Sequence, residues 1–227
     1  MKAEKISDLT TNRLSVYLRC LNELAAAGEK TVSSDTLAQR FHLNSAQIRK
    51  DLAYFGEFGV RGVGYYVKDL RDHLRKILGL TIDRQVCIIG AGRIGSAVAD
   101  YYAFKDTNCT ITAIFDSDRT RIGKKVNGIK ISDVKTFSSV VKKDNIDLAI
   151  IAVPAEHAQP VLEMIVEAGI RAVLNVAPVR LKVDGDVKVI SLDLTISLES
   201  LCFFLAGSGE NNAGGVKPNQ RGRRKRS

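Results

Sequence analysis

Leu14, Tyr17, Leu18, Leu21 and Leu24 recur at three- and four-residue steps, which places them on one face of an α-helix. Thr11 to about Ala27 is therefore predicted to be an amphipathic helix ending at Gly28. Ser33-Ser34-Asp35 reads as the cap of a short helix over Thr36–Phe41, with Leu37 and Phe41 on one side. His42-Leu43 makes a tight corner, and Asn44 caps a third helix, with Gln47 placed to close a capping box. Ile48, Leu52 and Phe55 form its inward stripe. From Phe58 to Tyr66 glycine alternates with apolar residues, the pattern of a short hairpin. Leu70, Leu74, Ile77 and Leu78 then mark a fourth helix, a strut that ends at Gly79.

Beyond a polar boundary at Thr81–Gln85 the pattern changes to short apolar runs separated by helical ones. Val86 to Ile89 reads as a buried strand that stops at Gly90-Ala91-Gly92-Arg93-Ile94-Gly95, with a helix from there to about Phe104. A second strand, Ile111 to Phe115, ends at Asp116. Ser132 is expected to cap a helix through Lys143. Leu148–Val153 is a strand stopped by Pro154, and a helix is expected from about Ala158 to Ala168. Ala172–Val176 is a strand closed by Pro178, and Val183–Leu192 holds weaker strands. Strands alternating with helices imply a parallel sheet. Asp193-Leu194 leads into a last helix whose Leu198, Leu201, Cys202, Phe204 and Leu205 make it almost wholly apolar. Such a helix must be buried, and a contact between two copies of the chain is favoured.

The predicted fold class is α/β. A winged helix-turn-helix domain (residues 1–80) precedes a doubly wound parallel sheet of Rossmann type (81–207) and a disordered basic tail (208–227). Helix, tight turn, helix and hairpin together are the geometry of DNA readers. The outer face of the third helix is small, polar and cationic, with Ser45, Ala46, Gln47, Arg49, Lys50 and Tyr54. Gln47 suits an adenine edge and Ala46 a thymine methyl, whereas Arg49, Lys50 and Tyr54 suit phosphates. Arg61 and Gly62 fall at the hairpin tip, where an arginine fits a narrow A·T-rich minor groove.

Charge agrees with that layout. The 227 residues carry a net +9, divided as +4 over residues 1–79, −1 over 80–216 and +6 over 217–227. Both ends are basic around a neutral centre, which suits an anionic polymer as partner. The chain is 45% hydrophobic and 26% charged, as in ordinary globular proteins. No run has the length of a membrane span and the N-terminus lacks a signal-peptide core, so cytoplasmic residence is expected. The four cysteines, Cys20, Cys87, Cys109 and Cys202, have neither metal-ligand spacing nor histidine partners, so no metal is expected. Cys87 and Cys202 lie in apolar runs and read as inert buried thiols.

The glycine turn carries the chemistry of the second domain. Gly90 allows the tight turn, Gly92 lets backbone approach a pyrophosphate, and Gly95 lets helix and strand pack closely. The phosphates meet free N–H groups at the helix start. Asp116, about twenty residues on, is where a ribose-binding carboxylate is wanted, and its charge favours NAD over NADP. Arg119, Arg121 and Lys124 in the same loop oppose that preference. Val153, Pro154 and Asn175 fall at other predicted strand C-termini, where ligands of such sheets bind.

These residues resemble the Rex family of redox-sensing transcriptional repressors. The match is carried by the run from Gln47 to Gly59, by Arg61-Gly62-Val63-Gly64-Tyr65 and by Gly90–Gly95. Phe115-Asp116, Val153-Pro154-Ala155 and Leu174-Asn175-Val176-Ala177-Pro178 extend it. Val176 departs from the aromatic residue common in the family. The resemblance implies a homodimer that exchanges its last helix, binds inverted-repeat operators when NADH is scarce, and leaves them when NADH binds. It also adds Phe115 and Tyr101 to the cofactor-binding residues, and makes Arg19, Tyr101 and Asp193 the relay between nicotinamide pocket and DNA domain.

Sensing has a simple physical basis. NAD+ carries a cationic ring and NADH a neutral one, so an apolar pocket favours NADH. Only such a difference in affinity shifts a conformational balance. The alternative is a small NAD-dependent dehydrogenase with an accessory binding module. His42, His73 and His157 are the only histidines available as acid or base, and little chain remains for a substrate domain. A CoA-binding or structural nucleotide module leaves the winged helix unexplained.

Overall fold

The structure is a computed structural model and describes residues 6–101 and 107–210. The chain divides into two compact units that part between Asp83 and Arg84, with Asn108 joined to the first.

The first unit contains α1 (Asp8–Ala26), β1 (Thr31–Val32), α2 (Ser34–Phe41), α3 (Ser45–Phe55), β2 (Gly59–Val60), β3 (Gly64–Tyr66) and α4 (Val67–Ile77). Leu14, Leu21 and Leu24 of α1, Leu37 of α2, Ile48 and Leu52 of α3, and Leu70 and Leu74 of α4 form one buried core. Helices α1, α2 and α3 begin where side chains satisfy their free N–H groups. Ser7 Oγ accepts from Thr10 N–H, Ser33 Oγ from Thr36 N–H, and Asn44 Oδ1 from Gln47 N–H. Thus α2 starts at Ser34, two residues before the expected Thr36, because Ser33 is the residue that caps it. The corner between α2 and α3 turns on His42, whose backbone is left-handed (φ 53°). Only half of the expected capping box forms, since the Gln47 side chain bonds Asp51 instead. The hairpin is present, and β3 also pairs with β1, giving the antiparallel order β1-β3-β2. Two residues are too few for β1 to show a periodicity.

The second unit is a sheet of seven strands in the order β10-β9-β8-β4-β5-β7-β6. Its strands are β4 (Arg84–Ile89), β5 (Cys109–Asp116), β6 (Lys125–Val126), β7 (Ile129–Asp133), β8 (Leu148–Ile151), β9 (Ala172–Asn175) and β10 (Lys188–Ser191). All neighbours run parallel except β6, which pairs antiparallel with β7 at the edge. The helices are α5 (Arg93–Ala99), α6 (Phe137–Asp144), α7 (Ala155–Glu167) and α8 (Leu194–Glu210). The winding reverses between β4 and β8, the switch point at which ligands of such sheets bind.

Several boundaries differ from expectation. Ser132 lies within β7, where the main chain is paired in the ladder, so it caps no helix; a 3-10 turn at Val134–Thr136, capped by Asp133, leads into α6. Helix α7 starts at Ala155 directly after Pro154, so Pro160 falls inside it. The helix after the glycine turn ends at Ala99; the expected end near Phe104 lies outside the described residues. Helix α8 runs to Glu210, past the Ser208 at which the tail was expected to start, and residues 211–227 lie outside the described residues. Among the described residues no helix is long and apolar enough to cross a membrane.

Candidate functional site

The three glycines of the turn have separable tasks. Gly90 has φ 101°, and a Cβ there would stand 2.5 Å from the carbonyl oxygen of Ala152. The chain crosses from β4 toward α5 against the end of β8, and only a residue without a side chain fits. A Cβ on Gly95 would overlap the carbonyl oxygen of Gly90, so the close seating of α5 requires glycine. Gly92 differs from both. The nearest atom to its Cβ position is Nη1 of Arg121, 4.0 Å away, and the space beside it is open. That opening leads into a cleft of about 1180 Å³ lined by Gly90, Gly92, Arg93, Ile94, Asp116, Val153 and Pro154. Its far wall is apolar, with Val134, Pro160, Val161 and Met164.

Asp116 closes one end of the cleft. Its Oδ2 accepts from Ala91 N–H (2.8 Å) and from Arg121 Nη1 (3.1 Å), and its Oδ1 accepts from Asp118 N–H (2.8 Å). Burial pushes its carboxyl toward protonation, but the N–H groups of Asp118 and Ala91 and the Arg121 guanidinium outweigh that and hold it below the ordinary carboxylate range. One carboxylate thus pins the glycine turn to the end of β5 and keeps its negative charge.

Other expected cofactor residues have different surroundings. Phe115 is fully buried and meets Phe137 edge to face at 5.2 Å, a core contact. Asn175 is also fully buried. Its Nδ2 donates to the carbonyls of Ala177 and Val179 and to Ser191 Oγ, while its Oδ1 accepts from Ala177 N–H. The side chain shapes the turn after β9 and does not line the cleft. Tyr101 is exposed and outside the cleft lining. Of the other two relay residues, Arg19 is exposed on α1, and Asp193 accepts from Thr195 N–H at the start of α8.

On the first unit, Ala46, Lys50 and Tyr54 are exposed on α3, with Ser45 and Gln47 partly so. Arg61 and Gly62 are exposed at the tip between β2 and β3. Arg49 is engaged elsewhere: its Nη1 donates to Ser34 Oγ (2.7 Å) and Asp35 Oδ1 (3.3 Å), clamping α3 to α2. The sequence reading missed Asp51. This carboxylate, buried on the inner side of α3, accepts from Arg13 Nε and Nη2, Tyr17 Oη and Gln47 Nε2. An aspartate beside the Ile48–Leu52 stripe, facing an arginine one helix away, was the available signal. The Arg13 bond holds the Asp51 carboxyl below its ordinary range against the opposing effect of burial.

Comparison with known proteins identifies the family. The chain is 48% identical over 203 residues to the redox-sensing transcriptional repressor Rex of Carboxydothermus hydrogenoformans, covering 89% of this chain and 98% of that one. It is 46% identical to Rex 1 of Thermotoga maritima, over 88% and 96%. The chain belongs to the Rex family of redox-sensing transcriptional repressors.

Two family profiles divide the Rex chain. One described as a putative DNA-binding protein N-terminus matches residues 5–53, and one described as a CoA binding domain matches residues 81–179. Solved Rex structures share the fold. RSP, a Rex-family repressor, in complex with β-NAD+ and operator DNA has a TM-score of 0.88 and 34% identity, covering 94% of this chain and 100% of that one. RSP in complex with β-NADH has a TM-score of 0.82 and 33% identity, covering 92% and 99%. These relatives are named as repressors, so the dehydrogenase alternative gives way. The match to the CoA binding domain covers the same glycine turn and sheet.

Proposed function

We propose that this chain represses transcription by binding an inverted-repeat operator, and that NADH bound in its cleft releases it. The observation that carries the reading is the pairing, in one chain, of a recognition helix and wing with a dinucleotide cleft open at Gly92. It is supported by relatives whose names and structures combine repression, operator DNA, NAD+ and NADH.

The cleft residues fit a dinucleotide. The turn at Gly92 leaves space for a pyrophosphate, with the free N–H groups of Arg93 and Ile94 at the start of α5. Asp116 holds a charge that opposes a 2′-phosphate, and Val134, Pro160, Val161 and Met164 offer apolar surface. NADH supplies a neutral ring where NAD+ supplies a cationic one. This chain's part is to weigh that difference, and the apolar surface of the cleft weighs it toward NADH.

The DNA contacts are assigned to Ser45, Ala46, Gln47, Lys50 and Tyr54 on α3 and to Arg61 and Gly62 at the wing. A homodimer supplies two such surfaces for the two half-sites. Its interface is α8, whose Leu194, Ile196, Leu198, Leu201, Phe203 and Leu205 are exposed in the single chain. Arg19, Tyr101 and Asp193 serve as the relay, and the protein works in the cytoplasm beside its operators. Fluorescence anisotropy of a labelled inverted repeat tests the whole reading. NADH should release the duplex at concentrations where NAD+ does not, and binding indifferent to both overturns it.

A further inference from the structure

Arg121 reaches the mouth of the glycine turn. Its Nη1 donates to Asp116 Oδ2 (3.1 Å), and its Nε lies 3.5 Å from Asp118 Oδ2. Two carboxylates thus hold the guanidinium of a side chain that is 44% exposed, so replacing it opens no core. Nη1 stands 4.0 Å from the Cβ position of Gly92, and Arg121 lines the cleft there. A guanidinium has five N–H donors. The carboxylates engage two of them and leave three for another anion.

Charge gives those donors a task. Three carboxylates (Asp116, Asp118 and Glu156) and two arginines (Arg93 and Arg121) line the cleft, so acids outnumber arginines before a ligand enters. A dinucleotide adds the two negative charges of its pyrophosphate. Helix α5 is seven residues long, and its free N–H groups bring at most about half a positive charge. A full cation must therefore face the phosphates. Arg93 is exposed and, among the described residues, in no ion pair that would fix its place. Arg121 is already held beside the opening, which spares the ligand the cost of ordering it.

We propose that Arg121 binds the pyrophosphate of the dinucleotide, with Asp116 and Asp118 as the positioning residues that hold its guanidinium at Gly92. The inference rests on the reading of the cleft as a dinucleotide site and deepens it. The pyrophosphate is the same in NAD+ and NADH. Arg121 therefore sets the dinucleotide concentration at which the cleft fills, and leaves the choice of redox form to the apolar surface.

The test uses the full chain, with NADH titrated by fluorescence and NAD+ measured by competition. Arg121→Gln should weaken NADH about 10- to 100-fold, the range of a hydrogen bond to a charged group, and NAD+ by the same factor. Arg121→Lys keeps the charge and should restore most of the affinity. Added salt should weaken NADH more in wild type than in Arg121→Gln, where less charge remains to be screened. Arg121→Met, of similar length, replaces the glutamine variant if that one does not fold. Wild-type NADH affinity in the uncharged variant overturns the inference, as does a salt response equal to that of wild type. A changed ratio of NADH to NAD+ affinity places Arg121 at the ring and overturns it too. A role confined to holding Asp116 against the ribose is separated with 2′-deoxy-NADH, which lacks the adenosine 2′-hydroxyl. The preference for NADH over this analogue should be the same with and without Arg121, and its loss in the variant overturns the proposal. A wild-type chain that binds neither NADH nor NAD+ fails the dinucleotide reading, whereas one that binds both and is indifferent to Arg121 fails only this inference.

Discussion

A methyl group on Gly95 would overlap the carbonyl oxygen of Gly90, so the strand β4 and the helix α5 touch backbone to backbone at the glycine turn. Gly92, between them, has open space on the side where its neighbours have none. Gly95→Ala must push α5 off the sheet, and we expect a loss of about 1–3 kcal/mol in stability together with NADH binding. Gly92→Ala should change stability by less than about 0.5 kcal/mol but weaken NADH roughly tenfold or more, because the methyl takes the space of the pyrophosphate. Thermal melts beside NADH fluorescence titrations separate the two. A folded Gly92→Ala protein with normal NADH affinity would place the phosphates elsewhere.

The Asp51 network predicts an acid sensitivity of defined sign. Hydrogen bonding by Arg13 lowers the folded carboxyl below its unfolded value of about 3.9, so its contribution is present above that pH. It disappears as pH falls through the lowered folded value. Urea midpoints of wild type should therefore drop below about pH 4, and Asp51→Asn should reduce the drop while costing about 1–3 kcal/mol at neutral pH. Asp116 is shifted the same way, so the comparison with Asp51→Asn, not the wild-type slope alone, isolates the network.

Seven large apolar side chains of α8 from Leu194 to Leu205 lie exposed in the single chain, more surface than an isolated helix leaves to water. Leu198→Glu should yield monomers in sedimentation and lose most affinity for an inverted repeat, while NADH still binds. Cys202, expected from the sequence to be buried, is exposed on this helix, whereas Cys87 is buried and its thiol is pushed up to about 12 by desolvation. Maleimide should therefore label Cys202 faster in Leu198→Glu than in wild type, and leave Cys87 untouched in both. Equal labelling of Cys202 would argue against burial of α8.

Asp193 accepts from Thr195 N–H at the start of α8, and asparagine retains such an acceptor. Asp193→Asn should therefore fold and bind NADH normally. If its charge carries the signal toward Arg19, NADH will no longer release the variant from DNA. A normal NADH response would remove Asp193 from the relay.

Arg61 stands exposed at the wing tip. Arg61→Ala should weaken A·T-flanked sites several-fold more than G·C-flanked ones, because the narrow groove concentrates negative potential. Equal loss on both duplexes, measured at fixed salt, would reduce Arg61 to a phosphate contact.

Local rules that act within a few residues were legible in the sequence. The Leu14–Leu24 periodicity, the caps at Ser33 and Asn44, the hairpin around Arg61 and the glycine turn each depend on near neighbours, and the structure contains them all. The expected Ser132 cap gave way because β7 draws that residue into a ladder with Phe115, a partner far away in sequence. Strands β1 and β6 are two residues long and exist only through their pairing.

Side-chain tasks needed the tertiary structure most. Asn175 looked like a ligand contact because it ends a strand, yet its amide is used within its own turn and on Ser191. Arg49, expected from its place on the outer face to meet phosphates, also clamps α3 to α2 through Ser34 and Asp35, a task visible only once the helices are packed. The sequence by itself determined the periodic helices, the long buried strands and which turn can cradle a pyrophosphate, since those follow from backbone freedom and local spacing. Only the tertiary structure decided which polar groups remain available to a ligand, because a buried acceptor such as Asp51 takes its donors from whatever helix packs against it.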